Sequence, residues 1–95
     1  MKIVKKEDSK ERCAESGWFA YDLILEMPLC KEDILSLQGI EGSFVYLSML
    51  KKPFFKIEYD NYVIKGMEGD PFCRVALHKE SLNKLDDIIK YIQSN

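Results

Sequence analysis

The sequence has few of the residues that build metal sites and disulfide frameworks. It contains a single histidine, His78, and three cysteines, Cys13, Cys30 and Cys73, none of which belongs to a C-x-x-C pair. Structural zinc sites usually take four cysteine or histidine ligands at short spacings, and disulfide frameworks use an even number of cysteines. We therefore expect no metal and no cofactor, and the odd cysteine count favours a reducing compartment, the cytoplasm.

Long apolar runs and a strong basic charge are also missing. A membrane-spanning helix needs roughly 18 or more consecutive apolar residues, and the sequence has no such run; its start, Met1 to Lys10, is charged. The formal net charge is −2, whereas nucleic-acid-binding domains usually carry an excess of basic residues. These absences predict a soluble protein without a membrane partner, and they argue against nucleic acid as its main ligand.

The sequence has no complete catalytic motif, and its one candidate for covalent chemistry is Cys30. This residue lies where a strand is predicted to end and a short helix to begin. The free N–H groups and dipole of a helix N-terminus stabilise a thiolate, but a catalytic thiol also needs a base, for which only His78 is available. Burial of Cys30 beneath the sheet edge is the favoured interpretation; a thiol-dependent enzyme or redox sensor is the alternative.

The length of 95 residues suits one domain with a single core. We divide the chain into a charged N-terminal arm, residues 1–16, which is either a short strand or disordered, and one α+β domain, residues 17–95. Glycine and proline positions and the apolar periodicity predict the element order of that domain. It runs as a strand at 18–26, a short helix at 30–39, a strand at 43–50, two strands within 54–67, a strand at 72–78 and a long amphipathic helix at 79–95.

The clearest local signal is a hairpin around Asp60 and Asn61. Both residue types tolerate the positive φ values of a tight two-residue turn, and strand-like runs flank them. The turn would place Tyr59 opposite Tyr62 and Ile57 opposite Ile64, with Lys56, Glu58, Val63 and Lys65 on the other side of the ribbon.

The predicted elements fit one curved antiparallel sheet with both helices on one face, in the order β-α-β-β-β-β-α. This order is similar to the topology of one repeat of the TATA-box-binding protein. The similarity concerns element order alone and implies a fold, not a function. A ferredoxin-like α/β sandwich is the alternative if one long strand has been divided wrongly.

One face of this sheet combines basic and aromatic side chains. Lys56, Lys65, Arg74 and Phe72 are predicted to project from the same side of neighbouring strands. Sheets that bind single-stranded nucleic acid use basic groups for phosphates and rings for bases. Lysine and arginine stems that cover apolar neighbours on a solvated face give the same pattern. We keep weak single-strand binding as the alternative function.

The sequence has more aromatic rings than one small core needs, which points to an interface. Both faces of several strands look apolar, so a homodimer that buries part of the sheet or joins sheet edges would account for the excess. The leading prediction is therefore a non-enzymatic binding or protein-interaction module, homodimeric or bound to a protein partner. A small apolar ligand between sheet and helices is a further option.

Overall fold

The computed structural model describes residues 1–9 and 17–94 as a single sheet packed against two helices. The strands are β1 (Ile3–Asp8), β2 (Trp18–Leu25), β3 (Ser43–Leu47), β4 (Phe54–Tyr59), β5 (Tyr62–Met67) and β6 (Phe72–His78); the helices are α1 (Lys31–Ser36) and α2 (Lys84–Gln93), with 3-10 turns at Leu37–Gly39 and Lys79–Ser81. The α+β class is confirmed. No helix within the described ranges is long and apolar enough to cross a membrane.

The six strands form one open sheet in the order β1-β2-β6-β5-β4-β3, and every neighbouring pair is antiparallel. The run MKIVKK, for which the sequence left strand and disorder open, contributes β1 at the edge of the sheet. The remainder of the predicted arm, residues 10–16 with Cys13, lies outside the described part of the chain. The ferredoxin-like alternative required a wrongly divided strand, but β3 to β6 are four separate strands.

The hairpin between β4 and β5 has the predicted register. Tyr59 pairs with Tyr62 and Ile57 pairs with Ile64, and the two tyrosine rings stack with centroids 5.4 Å apart. The predicted backbone of the turn is wrong, because no described residue other than glycine has a positive φ. Turns with two negative φ values also close a chain reversal, so Asp60 and Asn61 need not enter the left-handed region.

Alternation along the strands puts all of their buried side chains on one face, which we call the inner face. The core joins inner-face residues such as Leu23, Ile64 and Val75 to Ile34 of α1 and Ile92 of α2, all fully buried. The side chains between them on the other face, the outer face, are half-buried or exposed. Both helices therefore pack on the inner face, and no described element covers the outer face.

The two helices also contact each other on the inner face. The Tyr91 hydroxyl of α2 donates a hydrogen bond of 3.1 Å to the Ser36 carbonyl at the end of α1. A Cβ atom at Gly39 would lie 2.1 Å from the same hydroxyl, so any other residue there would displace the Tyr91 hydroxyl. Helix α2 buries Leu85, Ile88 and Ile92 along one side, as the helical spacing predicts.

Element boundaries differ from the predicted ones where turns interrupt the apolar runs; the helix predicted at 30–39, for example, ends at Ser36 and continues as a 3-10 turn. The strand predicted to end at Leu50 ends at Leu47, and the chain turns at Ser48 and Met49 before β4. The long helix begins at Lys84 rather than Lys79, since a 3-10 turn occupies Lys79–Ser81. Met49 and Leu50 are left exposed.

Candidate interaction surface

The register of the strands arranges the outer face in rows that run across the sheet. One row, the apolar row, carries Ile24 beside Phe72, Met67 beside Phe54, and Leu47 beside Phe54. Phe72 and Met67 adjoin because the last β5–β6 pair joins Gly66, the residue before Met67, to Cys73, the residue after Phe72. The apolar row therefore crosses five strands with no charged side chain.

The next row, the basic row, brings together three of the residues predicted for nucleic-acid binding. Arg74 pairs with Lys65, and Lys65 pairs with Lys56. The row continues to Asp22 on β2 and to Val45 on β3. Neighbouring strands lie about 4.8 Å apart, so three cationic side chains leave the sheet side by side.

A shallow depression joins the two rows. It has a volume of about 240 Å³ and is lined by Phe54, Lys65, Gly66, Met67, Asp70, Phe72 and Arg74. The Arg74 guanidinium lies 5.8 Å from the centroid of the Phe72 ring, a cation–π distance. Phe54 and Phe72 are half-buried and Met67 is exposed, so the apolar surface of the depression is open to a partner. All four predicted outer-face residues border or adjoin this feature.

Carboxylates partly neutralise the basic row. Asp22 accepts two hydrogen bonds from Arg74, at 2.8 Å from Nε and 3.4 Å from Nη2. Glu58 lies 3.8 Å from the Lys56 Nζ. The Asp22 pair is mostly shielded, with side chains 16% and 24% exposed, whereas the Lys56 pair is open to solvent. Lys56 and Arg74, on the two sides of Lys65 in the basic row, therefore each have a carboxylate neighbour.

Cys30 lies at the surface, immediately before α1. Its side chain is exposed, so the packing interpretation is wrong; Leu29, the residue before it, is the one that is buried. A backbone hydrogen bond from Asp33 lowers the Cys30 pKa, but hydrogen bonding to the Asp33 and Glu32 carboxylates and desolvation outweigh it, and the net pKa is raised. The lowered pKa expected of a helix N-terminus is absent because two acidic residues occupy the first turn.

His78 cannot serve as a base for Cys30. The chain next to Cys30 is hydrogen-bonded to the β5–β6 turn, through Leu29 and Asp70. His78 lies at the opposite end of β6, a distance of roughly 20 Å along a seven-residue strand. Its Nδ1 accepts the Glu80 N–H at 3.2 Å, and its ring meets Trp18 edge to face at 5.7 Å. These contacts give His78 a structural role at the start of the 3-10 turn.

The outer-face features that the sequence missed depend on long-range pairing. The ion pair between Asp22 and Arg74 joins residues 52 positions apart, and the neighbourhood of Ile24 and Phe72 rests on the same β2–β6 pairing. Leu47 and Met67 could have been found from alternation once the β3–β4 and β4–β5 registers were known. Asp22 had no local signal.

Other described parts of the molecule offer less. No group of three or more potential metal ligands occurs among the described residues. A depression between α2 and the end of the 3-10 turn has a volume of about 220 Å³, below the usual range for small-molecule sites of about 300–1,000 Å³. A small apolar ligand between sheet and helices thus stays a prediction. Comparisons with protein-family models, curated proteins and solved structures found no match.

Proposed function

We propose that this protein is a non-enzymatic interaction module whose outer sheet face binds a protein segment that combines apolar and acidic side chains. The observation that carries the proposal is the basic row. Lys56, Lys65 and Arg74 are direct cross-strand neighbours, and like charges directly opposite each other destabilise a sheet. An anionic partner would reverse that cost, so the arrangement suits a surface that is bound.

The apolar row defines the rest of the partner. It is parallel to the basic row and two residues away along each strand, a separation of roughly 6 to 7 Å. A partner that satisfies both rows carries a carboxylate two residues from an apolar side chain in an extended segment, or three to four residues away on a helix. A leucine, phenylalanine or methionine of the partner would fill the depression between Phe54 and Phe72. The carboxylate of the partner would then contact the basic row at Lys65.

Single-stranded nucleic acid is the second candidate for the same face. Two rings, Phe54 and Phe72, beside three cations resemble the stacking and phosphate contacts of sheets that bind single strands. Asp22 lies within the basic row and Glu58 lies beside it. Their carboxylates repel a nucleic-acid chain, which carries many phosphates, more strongly than they repel a peptide with a single carboxylate. For the thiol-dependent alternative, the one histidine, His78, lies at the far end of β6 from Cys30, and the pKa of Cys30 is raised rather than lowered.

The proposal also covers the fold family and the compartment. The order β-α-β4-α from β2 to α2 supports a topology like that of one TATA-box-binding-protein repeat, with β1 as an addition. Cys30 and Cys73 are free thiols, which supports a cytoplasmic location.

The test uses random peptides displayed on phage and panned against the immobilised protein. Selected peptides are then titrated by fluorescence anisotropy against the wild-type protein, Lys65→Glu and the control Lys84→Glu, which makes the same charge change on the helix side. We expect enrichment of peptides that combine acidic and apolar residues, with affinity at least about tenfold lower for Lys65→Glu and unchanged for Lys84→Glu.

Two outcomes overturn the proposal. Selected peptides that lack acidic residues, or that bind Lys65→Glu as tightly as wild type, would show that the basic row is not the binding site. Labelled oligo-dT that binds with a steep salt dependence and is lost in Lys65→Glu would favour nucleic acid instead.

A further inference from the structure

The two edges of the sheet differ in how well they are protected against pairing with another strand. The β1 edge carries Lys5, Lys6, Glu7 and Asp8, and its pairing with β2 is irregular between Ile3 and Lys5. Charged side chains and bulges are the usual means by which proteins block an edge. The β1 edge is therefore protected.

The β3 edge has none of these features. Its sequence, SFVYL from Ser43 to Leu47, contains no charge and no proline, and its pairing with β4 is regular over all five residues. Val45, at its centre, is 40% exposed. Within the described sheet β3 pairs with β4 alone, so the backbone groups on its other side are directed outward and suit a further strand.

We propose that β3 pairs antiparallel with β3 of a second copy of this chain, about a two-fold axis at Val45. This register puts Val45 opposite Val45, Phe44 opposite Tyr46 and Ser43 opposite Leu47. No like charges meet, and the aromatic pair forms twice on the inner face, where both rings already pack against the core. Aromatic and branched cross-strand pairs are among the stabilising ones in sheets.

The charges that flank β3 select a second copy in this orientation. Glu41 precedes the strand and Lys51 follows it, both exposed, whereas Lys52 is already paired with Asp70 beside the β5–β6 turn. Antiparallel pairing brings the acidic end of each strand near the basic end of the other, whereas parallel pairing would bring like ends together. The exposed side chains of Met49 and Leu50, 79% and 45% exposed, adjoin the same edge and add apolar surface to the contact.

The dimer would join the two outer faces as well as the edges. A two-fold axis perpendicular to the sheet keeps both outer faces on the same side, and the basic row of each copy ends at Val45. The basic rows of two copies would therefore run in line across the axis. The dimer goes beyond the proposed function and does not depend on what binds the outer face.

The test measures mass by analytical ultracentrifugation over a wide concentration range for wild type, Val45→Glu and Val4→Glu. Val45 is the cross-strand neighbour of Lys56 within its own chain, so glutamate there favours the fold of one copy but opposes a second glutamate across the axis. We expect a wild-type dimer whose dissociation constant rises about tenfold or more in Val45→Glu. Val4→Glu, an exposed position on the β1 edge, should leave the constant unchanged.

A mixture of Val45→Glu and Val45→Lys should restore the dimer, because opposite charges then meet across the axis. A wild-type protein that stays monomeric at millimolar concentration, a Val45→Glu protein that dimerises like wild type, or a dimer that only Val4→Glu disrupts would each overturn the inference. Lys65→Glu separates this result from the proposed function, since it should weaken peptide binding at least about tenfold without changing the dimer.

Discussion

The inner and outer faces of the sheet are built from the same strands but obey different constraints. On the inner face Phe55, Ile57 and Ile64 are fully buried, and the described residues have no buried side-chain polar atom without a hydrogen-bond partner. On the outer face, one residue along the chain, Lys56 and Lys65 stand side by side. The inner face is explained by folding alone, whereas the outer face places like charges together, which folding does not require.

The largest expected difference between the faces concerns two adjacent phenylalanines of β4. Phe55 is fully buried in the core and Phe54 is half-buried on the outer face. Phe55→Ala should lower the free energy of unfolding by about 3–5 kcal/mol, whereas Phe54→Ala should lower it by about 1 kcal/mol because less apolar area is lost. Urea denaturation measures both. If Phe55→Ala does not fold, Phe55→Leu provides the comparison, and equal losses at the two positions would contradict the assignment of faces.

The second prediction uses the buried thiol of the inner face. Burial raises the pKa of Cys73 from 9.0 to about 12, and the Asp22 carboxylate adds to the increase. Because the folded state disfavours the thiolate, stability from this group is fully present below pH 9 and is lost as the pH rises toward 12. The loss should be on the order of a few kcal/mol at the upper limit.

Cys73→Ala isolates this effect. The raised pKa values of Tyr46, Tyr59 and Tyr62 act in the same direction but are common to both proteins. The stability difference between wild type and Cys73→Ala should therefore shrink as the pH rises from 9 to 12. A difference that is independent of pH would show that the thiol is not held in its neutral form.

The third prediction tests the neutralised end of the basic row. Asp22→Asn removes a carboxylate that accepts two hydrogen bonds from Arg74. Since the pair is partly shielded, the loss should be about 1 kcal/mol of unfolding free energy, while acidic peptides should bind the more positive outer face more tightly. Urea denaturation and peptide titration measure the two effects. The control Glu7→Gln removes an exposed partner of Lys5 and should change stability by less than about 0.5 kcal/mol.

The sequence predicted those features of the molecule that depend on neighbours along the chain. The pairing of Ile57 with Ile64 follows from a two-residue turn, and the grouping of Lys56 with Lys65 follows from alternation. Arg74 could be added because β6 comes next in the chain. The Asp22 ion pair could not, since it requires β2 to lie beside β6. The exposure of Cys30 was missed because burial at a strand–helix junction depends on how the whole loop packs.

The smallest expected effect on stability is the most informative about the outer face. Lys65→Glu places an acidic side chain between Lys56 and Arg74, so two unfavourable cross-strand pairs become favourable. The free energy of unfolding should rise by about 0.5–1 kcal/mol at low salt, and the gain should diminish at high salt as the charges are screened. Lys65→Gln, which removes the repulsion without adding an attraction, should give an intermediate value.

A variant that is more stable yet no longer binds acidic peptides would show that Lys65 is retained for binding at the expense of the fold. If Lys65→Glu instead lowers stability in a salt-independent manner, Lys65 contributes to folding, and the difference between the two faces no longer points to a binding surface.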